Sequence, residues 1–281
     1  MIGLHAMLLD DARRTRAFSR ALQEVVRPGD VVADLGAGTG ILSLLALRAG
    51  AARVYAVEKS PVASLARALA RENGVADRLT VIRGRAKDVR LPERVDVVVT
   101  EMLGMFVFDE GLLELASDAR RRFLRKDGRI IPSHVRVMAA PAAAPPGRRW
   151  SYGVRLEAAR AFSIHTPTVY KRPRLRGAAK VLAEAEVGRA SLPLEVAGRW
   201  RVPSAEGMAV WFDADLSPSV RLNSLKGTHW APMFIPARAA RKGTFDFRLT
   251  FRSEYGMTWR FDDDPPQDTA LADVRRWKRS L

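Results

Sequence analysis

Val31-Val32-Ala33-Asp34-Leu35-Gly36-Ala37-Gly38-Thr39-Gly40 is a short apolar run that opens into three alternating glycines. The run reads as a buried strand, and Ile41 to Ala49 after it as a helix ended by Gly50. Arg53-Val-Tyr-Ala-Val57 repeats the pattern as a second strand ending at Glu58. Pro61 to Asn73 is a third helix in the reading, with Gly74 placed as a left-handed cap. Leu79-Thr-Val-Ile82, Val95 to Thr100 and Arg129-Ile-Ile131 complete a strand set, with a helix over Gly111–Leu124. Strands and helices alternating over about 130 residues predict a parallel, doubly wound sheet. Ahead of it, His5 to Val26 reads as one helix stopped by Pro28-Gly29.

After Pro132 the pattern changes. Val135 to Met138, Gly207 to Ala214 and Thr244 to Phe251 are β-rich runs bounded by glycine and proline, so the second half reads as antiparallel β, a barrel or sandwich. Trp150 to Phe162 reads as a helical excursion within it.

The glycine turn offers a backbone that a ligand can approach closely. Its spacing, G-x-G-x-G with Asp34 two positions ahead, departs from the G-x-G-x-x-G of dinucleotide sites. A carboxylate there suits a cationic ligand better than a pyrophosphate, and Glu58 is placed to accept from two ribose hydroxyls. S-adenosylmethionine, cationic at its methionine end and without phosphate, fits better than NAD. Farther on, Glu101 and Glu110 flank Met-Leu-Gly-Met-Phe-Val-Phe-Asp at the end of the fourth strand. Two carboxylates among large apolar side chains repel each other and lose hydration unless a cation lies between them. Planar, bidentate guanidinium suits that geometry.

Composition sets the outer limits. The chain has 281 residues, 47% of them hydrophobic, and no cysteine, which excludes disulfides and thiolate metal sites. The four histidines (His5, His134, His165, His229) lack metal-ligand spacing, so no metal is expected. Neither a membrane-spanning run nor a signal peptide is apparent, and a cytoplasmic protein without membrane contact is the expectation. Net charge is +16, with the half from 141 onward supplying +10. Basic clusters at Arg148-Arg149, Lys171 to Arg176 and Arg275 to Arg279 read either as a surface for phosphates or an acidic partner, or as the composition of a GC-rich bacterial genome. They lack the interleaved aromatics of a single-strand stacking platform, so nucleic acid is not favoured.

With these residues in hand, the chain resembles the protein arginine N-methyltransferases over nearly its full length. The matching stretches are Asp34–Gly40, Val57-Glu58, Glu101–Glu110 as the double-E loop, Gly227-Thr-His-Trp230 as the threonine-histidine-tryptophan loop, and His5 to Thr15 as the cofactor-covering helix. The resemblance implies an S-adenosylmethionine-dependent enzyme with a Rossmann-type methyltransferase domain over 1–132 and a β-barrel substrate domain over 133–281. A helical arm at about 148–176 would make it a homodimer. Residue by residue, it implies Asp34, Gly36, Gly38 and Gly40 around the methionine moiety with Arg14 on its carboxylate. Glu58 and Lys59 would lie at the ribose, and the backbone near Ala86 at the adenine. Glu101 and Glu110 would clamp the acceptor guanidinium, His229 would pair with Asp11, and Met105 and Trp230 would line the acceptor pocket. The acceptor is then arginine in a protein or peptide, or a small guanidine.

Departures accompany the match. The first matching residue is His5, so the aromatic helix that relatives carry ahead of it is expected to be missing. Met102 and Met105 replace aromatic residues, and Lys87 replaces an acid near the adenine. Two other functions compete: methylation of a small-molecule amine or a nucleic acid with the same cofactor, and a non-catalytic scaffold. The Asn/Asp-Pro-Pro-Tyr/Phe signature of base methylation is absent where Thr100-Glu101 stands, and intact Glu101, Glu110 and His229 oppose the scaffold. A chain this basic repels an equally basic acceptor, and salt screens that repulsion. Transfer to arginine-rich peptides should therefore rise as salt is added to the assay; a monotonic fall would count against the repulsion.

Overall fold

The computed structural model describes residues 2–104, 110–145, 154, 167–189, 195–225, 227–253 and 256–268. The proposed arm, apart from its end beyond 166, lies largely outside them, as does Met105. Two compact units emerge. The first takes in Met1–Val135, Ala185–Ser191 and Asp213–Asn223, and the second Arg136–Glu184, Leu192–Phe212 and Ser224–Leu281.

The first unit is built on a five-stranded sheet, β1 (Val31–Leu35), β2 (Arg53–Glu58), β3 (Leu79–Arg83), β4 (Val95–Thr100) and β5 (Leu124–Ile131), in the order β3-β2-β1-β4-β5. All neighbours are parallel, as the alternation of elements predicts. All five residues of β1 are buried, as expected of a central strand covered on both faces. The order in which strands are added reverses between β1 and β4, so the carboxyl ends of those two parallel strands border the crevice where such sheets bind ligands. Thr100 closes the floor of that crevice, its hydroxyl donating to the Leu35 carbonyl at 2.8 Å.

Helices α3 (Ile41–Arg48), α4 (Ala63–Glu72) and α5 (Leu112–Arg122) connect the strands. Small residues let α3 and α4 approach: a Cβ on Gly40 would lie 3.1 Å from that of Ala66, and Gly40 itself has φ of 80°. The one helix read over His5–Val26 is instead two, α1 (Ile2–Asp10) and α2 (Ala12–Val25). The break has a local cause: the Asp11 side chain leaves the helical path to accept from the Arg14 backbone N–H at 2.9 Å, capping α2. Phe18, Ala21 and Leu22 bury one face of α2, while Arg13, Arg16 and Arg20 stay exposed. At the other end of the unit, Glu24 accepts from the hydroxyls of Ser217 (2.6 Å) and Ser219 (2.7 Å).

The second sheet runs β13-β12-β11-β9-β6-β8, with β10 (Arg221–Asn223) on β9 and β7 (Thr168–Val169) on β11. Its members are β6 (His134–Ala142), β8 (Lys180–Glu186), β9 (Glu195–Asp215), β11 (Met233–Ser253), β12 (Gly256–Phe261) and β13 (Gln267–Asp268). It is the barrel-like antiparallel sheet expected, although its path does not close among the described residues. The runs read at Gly207–Ala214 and Thr244–Phe251 are pieces of two 21-residue strands. Register shifts between Pro236 and Gly243 let β11 bend along that length. Trp200, Phe212, Phe234, Phe245, Phe247, Trp259 and Phe261 fill the interior. Among the described residues no helix is long and apolar enough to cross a membrane.

Phe18 is wholly buried and Arg13 exposed on the same helix. Phe18→Ala should lower unfolding stability by about 3–5 kcal/mol in a urea titration, whereas Arg13→Ala should change it by less than about 0.5 kcal/mol.

Candidate active site

The end of β1 and the end of β4 deliver the functional groups. Gly36, Gly38 and Gly40 have φ of 75°, 54° and 80°, the left-handed region that a residue with a Cβ seldom adopts. Gly36 and Ala37 donate to the Val57 carbonyl (2.9 and 3.0 Å), which pins the turn to β2. Glu58 holds it as well: one carboxylate oxygen accepts from Gly38 N–H at 2.9 Å and the other from Ser60 N–H at 2.7 Å. A carboxylate fixed by two backbone donors keeps lone pairs free for two further donors, such as a ribose diol. Beneath the turn, Asp34 is buried and accepts from the Ser43 hydroxyl at 2.7 Å. Burial pushes its carboxyl up to about 6, against the opposing effect of Ser43 and with a smaller push from Glu58.

Glu101 follows β4, with 15% of its side-chain surface exposed. Arg14 from α2, almost wholly buried, donates to it at 3.1 Å and to the Leu8 carbonyl at 2.6 Å. Arg14 thus bridges the covering helices to Glu101. Its Nε is buried with no acceptor among the described residues, a donor that a bound carboxylate would satisfy. Burial raises the Glu101 carboxyl to about 8; Arg14 opposes the rise, while Glu110 and Asp11 add to it. Glu110 and Asp11 therefore act on the same carboxylate. Glu110 itself is exposed.

Other expected residues distribute less evenly. Lys59 is exposed, and Ala86 half-buried with its carbonyl taken by Arg122. His229 and Trp230 belong to the second unit. There the Trp230 ring is buried, 3.9 Å from the His229 ring and edge-on to Phe212 at 5.1 Å. The Thr228 hydroxyl donates to the Trp230 carbonyl at 3.2 Å, which tightens that loop after Gly227 at φ of 63°.

Three residues escaped the sequence reading. His5, taken only as part of the covering helix, places its ring 3.4 Å from where a Gly38 Cβ would stand. It therefore roofs the glycine turn. The available signal was its place in a helix expected to cover that turn. Ser43 holds Asp34 from one turn into α3, at a spacing common to any helix start. Arg122 lies 36 residues from its carbonyl partner Ala86, and nothing in the sequence links them.

The group set fits S-adenosylmethionine. The glycine turn presents backbone without Cβ atoms beneath His5 and Met102, Glu58 borders it with spare acceptor capacity, and Arg14 brings a buried N–H that has no acceptor among the described residues.

Comparison with known proteins agrees. The profile of the family described as ribosomal protein L11 methyltransferase (PrmA) matches residues 14–136. A probable protein arginine N-methyltransferase 6 from Arabidopsis thaliana is 37% identical over 155 residues, 54% of this chain and 35% of that protein. Protein arginine N-methyltransferase PRMT10 from Oryza sativa subsp. japonica is 48% identical over 113 residues, 40% of this chain and 30% of that one. The chain thus spans about a third of the length of the curated relatives it matches. Among solved structures, a Trypanosoma brucei PRMT1 enzyme-prozyme heterotetrameric complex with AdoHcy superposes with a TM-score of 0.84 at 22% identity, covering 95% of this chain and 98% of that one. Arabidopsis thaliana protein arginine methyltransferase 10, in an open conformation, gives 0.79 at 23% identity over 95% and 96%. These two likenesses give the fold of the described chain.

Because the folded state raises the Glu101 carboxyl from 4.5 to about 8, it holds a proton there that the unfolded chain has lost. The stabilisation from this group is complete below about 4.5 and lost as pH climbs through about 8. Glu101→Gln should flatten that fall in melting temperature; an unchanged pH slope in the variant would refute the assignment.

Proposed function

We propose that the chain is a protein arginine N-methyltransferase, within the class I S-adenosylmethionine-dependent methyltransferases, and that it methylates a guanidino nitrogen of arginine. The acceptor is a protein, a peptide or a small guanidine. The observation that carries this reading is Glu101: a part-buried carboxylate at the crevice between β1 and β4, charged against Glu110 and beside the glycine turn. A single free carboxylate would serve many acceptors. A second carboxylate that raises the proton affinity of Glu101 favours a cation that spans both.

In this reading residues 1–132 form the cofactor domain and 133–281 the substrate domain. Gly36, Gly38, Gly40 and Asp34 surround the methionine moiety, Arg14 reaches its carboxylate, Glu58 with Lys59 takes the ribose, and the backbone at Ala86 the adenine. S-adenosylmethionine supplies an electrophilic methyl on a sulfonium when bound. Glu101 and Glu110 draw the positive charge of the guanidinium to the two nitrogens they hold, which leaves the third richer in electrons. Positioning and electrostatics then supply most of the barrier reduction. The nitrogen becomes acidic as its bond to the methyl carbon forms, and it sheds its proton to Glu101. By the resemblance, Asp11, Met105, His229 and Trp230 are the further residues that serve the acceptor. A cytoplasmic location and a homodimer formed through the 148–176 arm belong to the same proposal.

Guanidinium stays protonated at any ordinary pH. The carboxylate that receives it must therefore be ionised, and acceptor affinity should increase with pH through about 8. Glu110→Gln should abolish transfer while leaving S-adenosylhomocysteine affinity within about twofold, because Glu110 touches acceptor and not cofactor. Normal turnover in that variant, followed by mass spectrometry of the labelled acceptor, would instead favour an amine or nucleic-acid substrate.

A further inference from the structure

The last turn of α5 reaches the loop after β3. Arg122 donates from Nη1 to the Val89 carbonyl at 2.9 Å and from Nη2 to the Ala86 carbonyl at 2.5 Å. Asp118, one turn back, holds the same guanidinium from behind, 2.9 Å from Nε and 2.8 Å from Nη2. The guanidinium also lies over the Phe123 ring, 4.4 Å from its centroid. A helix-surface arginine with an acid at i−4 ordinarily remains in water and contributes little. This one keeps 28% of its side-chain surface exposed and directs two donors at main-chain carbonyls.

The loop it grips has few bonds of its own. Gly84 N–H donates to the Glu58 carbonyl at 3.0 Å, and a single turn links Arg85 to Asp88 and Val89. Arg83, Arg85, Lys87 and Arg90 all point to solvent and add no packing. The loop therefore departs from the residue assigned to the ribose and is fixed at its far side by Arg122. At its other end α5 begins just after Glu110, and its 11 residues set a separation of about 16 Å.

We infer that Arg122 is a positioning residue for the cofactor: it locks the Gly84–Val89 loop against α5, so that the adenine-facing backbone and the acceptor carboxylate Glu110 are registered by one helix. This rests on the cofactor reading above and adds to it a residue that touches neither substrate nor reacting atoms. An arginine is needed because two carbonyls three residues apart call for a fork, whereas a lysine ammonium serves one of them well. Fixing the loop beforehand removes an ordering cost from binding, so the effect belongs in cofactor affinity and in its adenine half.

The test is calorimetric titration of the full chain with S-adenosylhomocysteine, and with adenosine alone, for wild type, Arg122→Gln, Arg122→Lys and Asp118→Asn. Arg122→Gln should weaken both ligands about tenfold and by the same factor. Asp118→Asn should weaken both by about threefold, and Arg122→Lys should recover part of the loss. kcat at saturating cofactor should stay within about twofold while KM for S-adenosylmethionine rises, the signature of lost uniform binding. A merely structural arginine would give a lower melting temperature with unchanged affinities, and that result overturns the inference. Weakened S-adenosylhomocysteine with unchanged adenosine overturns it too. If Arg122→Gln does not fold, Asp118→Asn decides by the same criteria. A wild-type chain that binds no S-adenosylhomocysteine overturns the cofactor reading itself, an outcome distinct from wild-type binding that the variants leave unaltered.

Discussion

Glu101 has to carry charge where water is scarce, and the first unit is arranged around that conflict. Removing a carboxylate from water costs several kcal/mol unless a partner compensates. Arg14 compensates in part from 3.1 Å away, yet burial still dominates and the carboxyl stays high, at about 8. The residual imbalance is what makes the position receptive to a further cation. To hold Arg14 there, α2 must start at Asp11, and to hold Glu101 there, β4 must end beside β1. Helix capping, strand order and the hydroxyl bond from Thr100 thus serve one electrostatic arrangement.

The nucleotide side follows a different rule. It is built from backbone groups and held by side chains that reach in from neighbouring elements. Glu58 joins the glycine turn to the start of the next loop through two N–H donors, and Arg122 continues the chain of restraints by gripping carbonyls. Donor and acceptor restraints therefore alternate along the rim. Such a rim is rigid at low cost, since each restraint uses a group that would otherwise need water.

Much of this was legible in the residues. The buried strand ahead of Gly36, the acid ending β2 and the carboxylate ending β4 are local patterns, and local patterns fix a parallel sheet and its ligand edge. Glu101 and Asp34 could be singled out for the same reason. What could not be read depends on distant partners or on a single side chain overriding a period. The helical spacing of Met7, Leu8 and Ala12 continues through Asp11, and only the capping bond to Arg14 reveals the break. The 21-residue strands β9 and β11 were seen as fragments because bulges and Gly207, Pro236 and Gly243 interrupt their alternation. His5 over Gly38 and Arg122 on Ala86 are meetings between segments with no shared signal. The acceptor loop residue Met105 lies outside the described residues.

The bonds from Glu24 to Ser217 and Ser219 carry a consequence for biosynthesis. They join positions more than 190 residues apart, and the first unit also recruits Ala185–Ser191 and Asp213–Asn223. At a translation rate of about 5–20 residues per second, the ribosome needs roughly 10–40 seconds to supply what α2 is waiting for. Until then the first unit exists without its later segments, and a fragment cut at Pro132 would remain permanently in that unfinished condition.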